Sequence, residues 1–509
     1  MTTDRLVDVL VVGGGINGVG IARDLAGRGV SVMLCEKADL GGATSSASTK
    51  LVHGGLRYLE RYEFRLVREA LGEREVLLRA APHIVWPLRF VLPHGQGLRP
   101  YWMIRAGLFL YDHLGGRRRL AGSEGIDLRR HVAGVPLDPA LSRAFVYSDC
   151  WVQDSRLVVL NAIDAAAHGA AIRPRTACLR AWRQDGQWSA TLRHAATGTE
   201  RTVRARALVN ATGPWVGRFL AGALGIGPAA PLRLVKGSHI VVPKMFDHDH
   251  AYILQNRDRR VVFAIPYEGA FTLIGTTEVD HGGDLDDVRI GEAETRYLCE
   301  AVNRYFRCAI APTDVVWSYA GVRPLYGDGA REASAVTRDY VLDLDERDGG
   351  APLLNVFGGK ITTYRRLAEE AVSRLARPLG IAAGPWTAQA PLPGGDIEAG
   401  DFDAFLARFR AAHTWLPAAL ARRYARDYGT LAAALIGGAA DLAGLGEDLG
   451  DGLYEAEIDY LRRREWAETA EDILWRRSKL GLHVSARTAR RLASRLGTDD
   501  RAPFQAGLG

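Results

Sequence analysis

The first forty residues alternate apolar runs and turns in a way that predicts a definite order of elements. Residues 9–12 form a continuous, mostly β-branched apolar run, which is typical of a strand buried on both faces of a parallel sheet. A glycine-rich turn follows, residues 16–28 have helical spacing, and Gly29 ends them. Residues 30–35 are a second apolar run that closes on Glu36. The pattern predicts a strand–turn–helix–strand unit.

Similar alternation of apolar runs with glycine-containing turns recurs along the rest of the chain. Residues 204–215 read as a strand that ends in Ala-Thr-Gly, and residues 352–371 read as a strand, two glycines and a helix. The segment 236–314 contains several short runs with the character of adjacent β-strands. Residues 379–401 are rich in Gly, Pro and Ala and read as a linker, and residues 402–509 have helical apolar spacing. We therefore expect an α/β protein with an added sheet and a C-terminal helical domain.

Composition narrows the class of protein only a little. Apolar residues make up 47% and charged residues 24%, as in ordinary soluble globular proteins, and the formal charge of +6 points weakly to an anionic partner. The start does not resemble a secretion signal, and no window approaches the roughly 18 apolar residues that span a bilayer. Five cysteines without CxxC pairing predict reduced thiols in the cytoplasm, without disulfides and without a metal site.

The first turn carries a dinucleotide fingerprint. Gly13, Gly15 and Gly18 form GxGxxG between the first strand and its helix, where they permit a tight turn, close approach of a pyrophosphate and helix packing. Asn17 lies inside this turn, and Glu36 is placed to accept hydrogen bonds from a ribose. An acid there argues against NADP but does not separate NAD from FAD. The two later strand–turn–helix segments favour FAD.

The stretch "ATSSASTKLVHGGLRYLE", residues 43–60, is too polar and glycine-rich for a core element. Small side chains along an extended backbone could pass close to a planar cofactor, with the hydroxyls of Ser45, Ser46 and Ser48 as donors. His53 then begins a tight turn. The alternative is a helix-capping loop with a solvated arginine.

Long strings in this sequence resemble one family, the aerobic FAD-dependent glycerol-3-phosphate dehydrogenases of bacteria. The resemblance covers residues 6–485 and is carried by "GGGINGVGIARDLAGRG", "ATSSASTKLVHGGLRYLE", "YSDCWVQDSRLV", "LVNATGPWV", "KGSHIVVP", "GVRPL", "VFGGKITTYR" and "DILWRRSKLGL". It implies FAD as cofactor and oxidation of sn-glycerol 3-phosphate to dihydroxyacetone phosphate by hydride transfer. Electrons would pass to ubiquinone or menaquinone, with the enzyme attached peripherally to the inner face of the cell membrane.

The resemblance also implies a discontinuous FAD-binding domain of Rossmann type. Its pieces would be residues 1–90, 150–235 and 315–378, with inserted substrate-binding segments at 91–149 and 236–314. The insertions would form an antiparallel sheet over the cofactor. The linker and the helical domain would complete the chain.

A phosphorylated alcohol requires cations for its phosphate and a base for its hydroxyl proton. Guanidinium groups bind phosphate through paired hydrogen bonds, and a histidine has a suitable pKa for the base. The candidate substrate ligands are Arg57, Tyr58, Arg323, Arg338 and Lys360. The candidate catalytic residues are His53, His239 and Arg323, and arginine-assisted or water-mediated proton transfer stays open. The candidate cofactor contacts are Gly13, Gly15, Asn17, Gly18, Glu36, Thr44, Ser45, Ser46, Ser48, Gly213, Trp215, Gly358, Gly359, Lys360 and Thr362.

Residues 98–120 mix aromatic and aliphatic side chains with flanking arginines, which is typical of a helix lying in a membrane interface. An internal core helix is the alternative. Competing functions are a glycerol-3-phosphate oxidase that uses oxygen and a D-amino-acid or sarcosine oxidase-like enzyme. Nucleic acid is not an expected partner, because the basic residues are scattered rather than gathered in basic–aromatic patches. The sequence leaves a homodimer open.

Overall fold

The computed structural model describes residues 6–95, 99–115, 119–227, 232–256, 258, 260–326, 339–346 and 350–497. The strands are β1 (Leu6–Val12), β2 (Val32–Cys35), β3 (Leu51–Val52), β4 (Val85–His94), β5 (Glu124–Asp127), β6 (Arg143–Val152), β7 (Ala171–Arg173), β8 (Thr176–Gln184), β9 (Gln187–His194), β10 (Glu200–Asn210), β11 (Leu232–Pro243), β12 (Ala251–Gln255), β13 (Val261–Tyr267), β14 (Phe271–Gly275), β15 (Val279–Asp280), β16 (Trp317–Tyr326), β17 (Val341–Asp345) and β18 (Leu353–Phe357). The helices are α1 (Ile16–Gly27), α2 (Phe64–Ala80), α3 (Tyr101–Leu114), α4 (Asp154–Ala167), α5 (Val216–Ala223), α6 (Glu292–Asn303), α7 (Tyr364–Leu379), α8 (Phe402–Ala412), α9 (Ala418–Tyr428), α10 (Ala432–Ile436), α11 (Glu455–Glu465) and α12 (Ala486–Leu496).

The first sheet has eight strands and contains the predicted strand–turn–helix–strand unit. Its main order is β17-β18-β10-β1-β2-β7, with β9 beside β10 and β8 beside β9. Strand β1 pairs in parallel with β10 and with β2, and β10 pairs in parallel with β18. Helix α1 packs against α4 and α7 over one face of this sheet. The continuous apolar runs of β1 and β2 arise because both faces of these strands are covered.

The second sheet has ten strands and is built mainly from the predicted insertions. Its order is β15-β11-β14-β13-β12-β4-β6-β3, with β16 beside β11 and β5 beside β6. All its pairs are antiparallel except β12 with β4. Strand β16 pairs with β11 along its whole length, from Leu232 opposite Tyr326 to Val241 opposite Trp317. Residues 315–326 were predicted as part of the FAD-binding piece, whereas β16 is a strand of the second sheet.

The C-terminal part is helical, as predicted. Helices α8 to α12 all lie within the predicted helical region 402–509. The same region contains one turn of π-helix, Asp472–Arg477. This turn and α11 pack against α4 of the first sheet. Within the described residues, no helix combines the length and the hydropathy needed to cross a bilayer.

Candidate active site

A cavity of about 1120 Å³ is lined by residues of both sheets. The carboxyl ends of four neighbouring strands of the first sheet open on it, through Gly13 after β1, Glu36 after β2, Gly213 after β10 and Gly358 after β18. Ligands of open α/β sheets bind at this edge, where the strands end and helices begin. We call the region of Gly13, Gly15, Gly18 and Glu36 the glycine end. We call the region of His53, Tyr58, Thr276, Arg323 and Lys360 the arginine end.

The glycine end needs its glycines for steric reasons. Gly13 has φ +113°, and a Cβ there would lie 2.4 Å from the carbonyl oxygen of Ala211. A Cβ on Gly18 would lie 1.9 Å from the carbonyl oxygen of Gly13. Between them begins α1, whose first N–H groups have a partial positive charge. The geometry fits a pyrophosphate that approaches the backbone closely.

Glu36 closes the glycine end. Its carboxylate accepts hydrogen bonds from the N–H groups of Gly14 (2.7 Å) and Ala38 (2.9 Å). Burial raises the pKa of this carboxyl, although both N–H groups oppose the shift. Each carboxylate oxygen keeps a second lone pair, so the group can still accept a hydrogen bond from a ribose hydroxyl. Trp215 also lines this part of the cavity, with Lys37 Nζ 4.1 Å from its ring centroid.

The polar stretch after Glu36 differs from the prediction. Thr44–Ser46 forms a 3₁₀ turn rather than an extended segment. The hydroxyl of Thr44 donates to the carbonyl of Val322 (2.7 Å), that of Ser46 to the carbonyl of Ala43 (3.1 Å), and that of Ser48 to Asp154 (2.8 Å). These contacts use the single hydrogen of each hydroxyl, and donation from Ser46 or Ser48 to a cofactor stays a prediction.

Ser45 has a different task from its neighbours. Its Oγ accepts a hydrogen bond from the N–H of Ile16 (3.0 Å), so it caps the first turn of α1 from another segment. Its own hydroxyl hydrogen is not used in that contact. Ser45 lines the cavity, and among the predicted serines it is the one whose geometry leaves a donor for a ligand.

At the arginine end, Tyr58 and Lys360 lie against each other. Gly55 has φ +74°, and a Cβ there would lie 2.2 Å from two atoms at the edge of the Tyr58 ring, so the ring can pack against Gly55 because it lacks a side chain. The Nζ of Lys360 lies 4.0 Å from the centroid of that ring. This ammonium is buried and has no hydrogen-bond partner among the described residues. A buried cation without a partner is costly, which indicates a site built for an anion.

Arg323 shares this wall through the register of β16. Its Nη2 donates to Thr276 Oγ1 (3.3 Å), and Nη1 lies 4.0 Å from a carboxylate oxygen of Glu278. A Cβ on Gly237 would lie 2.6 Å from Nη2, so the bare backbone of β11 makes room for the guanidinium. Thr276 and Glu278 were not predicted. They follow the end of β14, and only the pairing of β14 and β16 with β11 brings them here.

Two predicted substrate ligands cannot be placed. The backbone of Arg57 lies in the 3₁₀ segment Leu56–Arg61, but its side chain lies outside the described residues. Arg338 lies in 327–338, also outside them. The remaining predicted contacts, Asn17, Gly213, Gly358, Gly359 and Thr362, all line the cavity.

The two candidate bases occupy different environments. His53 lines the cavity and is half-buried, and its backbone N–H donates to Thr362 Oγ1 (3.3 Å). His239 has no exposed surface and is not part of the lining. It stacks on Tyr319 at 4.8 Å, and its Nε2 lies 2.9 Å from Thr49 Oγ1. Thr49, which lines the cavity, contacts this ring, and the role of His239 as the base stays a prediction.

Burial, with help from Arg323 and Lys50, lowers the pKa of His239 well below its ordinary value. The imidazole is therefore neutral at physiological pH, and Nε2 can accept a hydrogen bond from the Thr49 hydroxyl. Thr49 lines the cavity and can then accept from a ligand hydroxyl.

A buried network holds the turn between His53 and Tyr58. Asp149 accepts hydrogen bonds from Tyr111 of α3 (2.7 Å) and from Arg74 of α2 (2.8 Å). The N–H of Gly54 donates to the Tyr111 hydroxyl (2.8 Å). Asp149 is 2% exposed, and burial raises the pKa of its carboxyl despite both partners. No local signal in the sequence pointed to these residues, because they come from three separate elements.

Comparisons with known proteins agree with this geometry. Residues 8–365 match the family model of FAD dependent oxidoreductases, and residues 385–498 match the C-terminal domain of alpha-glycerophosphate oxidase. The chain is 56% identical to a glycerol-3-phosphate dehydrogenase of Pseudomonas aeruginosa, over 97% of this chain and 96% of the relative. It is 53% identical to a D-erythritol 1-phosphate dehydrogenase of Brucella abortus, over 95% of this chain and 96% of the relative.

A solved structure has the same fold. The glycerol-3-phosphate dehydrogenase of Bacillus halodurans, determined in complex with FAD, superposes with a TM-score of 0.78 at 26% identity. The match covers 98% of this chain and 93% of that one.

Proposed function

The chain belongs to the family of FAD-dependent oxidoreductases, with the C-terminal domain of alpha-glycerophosphate oxidase, and from this premise we propose that it oxidises sn-glycerol 3-phosphate to dihydroxyacetone phosphate. It is an enzyme whose cofactor is FAD. Its glycine end fits the dinucleotide part of that cofactor. The assignment of the substrate depends on the arginine end. There a guanidinium lines the same cavity as a buried ammonium that has no hydrogen-bond partner among the described residues.

A phosphate monoester matches these cations better than the substrates of related fold members do. The phosphate carries nearly two negative charges, and the planar guanidinium of Arg323 can bind two of its oxygens at once. Lys360 adds a point charge, and its hydrogen-bond donors have no other use among the described residues. An amino-acid substrate, with one carboxylate and one amine, would leave a cation unpaired.

FAD supplies the hydride acceptor when it is bound, and the chain supplies orientation, charge and a proton acceptor. We assign Arg323 and Lys360 to the phosphate and His53 to the hydroxyl proton, because His53 is the imidazole on the cavity wall. The pair Thr49 and His239 is a second and weaker route, because the lowered pKa of this ring disfavours the imidazolium that would form. Exchange of His53 for Asn should lower kcat strongly, while exchange of Thr49 for Val should lower it less. The reverse order would assign the base to His239.

D-erythritol 1-phosphate is the second candidate substrate, because one relative at 53% identity is named for it. Erythritol phosphate has one carbinol unit more than glycerol phosphate. Both compounds offer a phosphate monoester and a secondary alcohol, so the same cations would serve either. The choice depends on the space beside the phosphate site rather than on its charge.

Anaerobic bleaching of the bound flavin tests the proposal directly. Stopped-flow mixing with sn-glycerol 3-phosphate should bleach the flavin rapidly, whereas unphosphorylated glycerol, glycine and sarcosine should not. Faster bleaching by D-erythritol 1-phosphate would transfer the assignment to the tetritol phosphate. Equal bleaching by glycerol would refute the role of the cations.

We extend the proposal to the electron acceptor, ubiquinone or menaquinone in the cell membrane. Helix α3 lies at the surface with Trp102 68%, Phe109 55% and Leu110 45% exposed. Tyr62, which is 79% exposed, precedes α2, and α2 packs against α3. Arg105 of α3 is also exposed. An apolar face with flanking cations suits peripheral attachment to an acidic lipid surface.

Sedimentation with vesicles of acidic phospholipid tests this attachment. The wild type should bind, and the variant Trp102→Glu/Phe109→Glu should not. Val135→Glu is the matched control, since Val135 is also 68% exposed but lies outside α2 and α3. Peroxide formation compared with reduction of a quinone analogue separates a dehydrogenase from an oxidase. The predicted homodimer stays a prediction, which light scattering on the purified protein would decide.

A further inference from the structure

Within the part of the chain that the structure describes, the C-terminal domain lines the FAD cavity at one place. Glu471, Trp475 and Arg476 line the cavity, and all three lie in or next to the π-helical turn Asp472–Arg477. A single π turn within helical structure is rare and frequently lies at a functional site. The N–H of Ser478 closes this turn on the carbonyl of Ile473 (3.0 Å).

Behind the cavity wall, arginine side chains of this turn donate hydrogen bonds to the loop that follows Glu36. Arg477 donates two hydrogen bonds to the carboxylate of Asp39, at 2.7 and 2.8 Å, and Arg476 Nε donates a third at 2.6 Å. Asp39 is 3% exposed and Arg477 is fully buried. Asp39 and Arg477 are 438 positions apart in the sequence. Charge-assisted pairs of this geometry are among the strongest polar contacts in proteins.

A third arginine ties the same loop to the first sheet. Arg175 donates to Asp472 at 2.6 Å, and its backbone N–H donates to the carbonyl of Ala38 at 2.8 Å. Burial opposes ionisation of Asp472, but Arg476 and Arg175 outweigh it and hold the pKa of this carboxyl below its ordinary value. We call Asp39, Arg175, Asp472, Arg476 and Arg477 the Asp39 clamp.

The loop held in this way carries the cofactor contacts of the glycine end. Ala38, next to Asp39, donates its N–H to Glu36. The N–H of Gly41 donates to the carbonyl of Gly14 (3.0 Å), and Ser45 then caps α1. A shift of Asp39 would therefore move the ribose acceptor and the cap of the phosphate-binding helix together.

Trp475 forms a second contact between the domain and the cavity. Its ring stacks on Trp317 of β16 at 4.4 Å with an interplanar angle of 22°. A Cβ on Gly481 would lie 2.3 Å from this ring, so the glycine leaves room for it. Trp317 lies on the same strand face as Tyr319 and Arg323, since alternate residues of a strand share a face.

We propose that the C-terminal domain is a positioning element of the FAD site, which holds the loop after Glu36 through the Asp39 clamp. The inference deepens the proposed function at the same cavity and depends on FAD occupying it. Arg476 and Arg477 act through Asp39 and are positioning residues rather than catalytic ones. The domain therefore forms its own helical core and is also required for high affinity for FAD.

Titration of the apoprotein with FAD, followed by flavin fluorescence, tests the clamp. Arg476→Met should weaken FAD binding about tenfold or more, within the usual range for coupled sites. Asp39→Asn should do the same without adding bulk. Arg423→Met is the matched control, because Arg423 makes a bidentate pair with buried Glu457 in the same domain, away from the cavity. The control should lower the melting temperature but leave FAD affinity unchanged.

The decisive readout is the split between FAD affinity and apoprotein stability. If Arg476→Met and Asp39→Asn bind FAD as tightly as the wild type, the clamp has no positioning role. Equal loss of FAD affinity in Arg423→Met would also overturn it, since the effect would then be general destabilisation. The proposed function is judged separately: wild type that binds FAD but is not bleached by sn-glycerol 3-phosphate would refute that function and leave the clamp standing.

Discussion

The two ends of the cavity are built on opposite principles. The glycine end uses the absence of side chains: Gly13 and Gly18 leave room for backbone and phosphate, and a helix N-terminus supplies the charge. The arginine end uses side chains, and its charge comes from Arg323 and Lys360. One end comes from a short continuous stretch of chain, the other from segments hundreds of residues apart. Changes at the first should affect the cofactor, and changes at the second should affect the substrate.

The largest effect is expected from Gly18→Val. A side chain there would overlap the carbonyl of Gly13, so α1 would separate from β1 and FAD should be lost altogether. The flavin absorbance of the purified variant measures this. Gly72→Ala is the control, because Gly72 lies within α2 and has open space around it. A Gly18→Val protein that purifies with a full complement of flavin would contradict the role of the glycine end.

Arg323→Ala should have the next largest effect and the opposite signature. Loss of one charged partner in a desolvated site costs about 2–5 kcal/mol, so kcat/KM should fall by roughly 30-fold to a few thousandfold. FAD content should stay at the wild-type value. Steady-state kinetics with a dye acceptor check this. Arg233→Ala is the control, since Arg233 of β11 pairs with Asp280 of β15. Unchanged kinetics would remove Arg323 from the site.

A smaller effect is expected from Tyr111→Phe, which tests whether the arginine end depends on support from α3. The variant removes the hydroxyl that joins Gly54 to Asp149. An unsatisfied buried group costs about 1–3 kcal/mol, and we expect a several-fold rise in KM with FAD affinity unchanged. An equal loss of FAD affinity would show that the two ends are not separable.

The smallest effect concerns pH and His239. The pKa of this ring is lowered in the folded protein, while an unfolded histidine titrates near 6.5. Below that pH the unfolded chain binds a proton that the folded one does not, so the free energy of unfolding should fall by about 1.4 kcal/mol per pH unit until the folded ring titrates. Urea denaturation at several pH values measures the slope. In His239→Gln the slope should be shallower, and an unchanged slope would contradict the burial argument.

The contrast between the two ends also explains what the sequence could predict. The strand–turn–helix unit, its glycines and Glu36 are neighbours in the chain, so their spacing in the sequence was enough to predict how they are arranged. The prediction that Arg323 and Lys360 line the same site came from the resemblance to a family. No local sequence pattern shows which of the many basic residues lie close together in the fold. The sequence did not reveal Thr276, Glu278 or Tyr111, since sheet register and helix packing bring them to the site. It also did not show that His239 is fully buried, packed against the ring of Tyr319 and the bare backbone of Gly275.

The span of the Asp39 clamp has a consequence for the way the enzyme is made. Asp39 leaves the ribosome early, whereas Arg476 is translated 437 positions later. Until Arg476 and Arg477 have been synthesised, the carboxylate of Asp39 therefore lacks the guanidinium groups that bind it in the folded protein. Flavin loading should then be a late step of biogenesis, and nascent chains that stop before the π turn should be released without their cofactor.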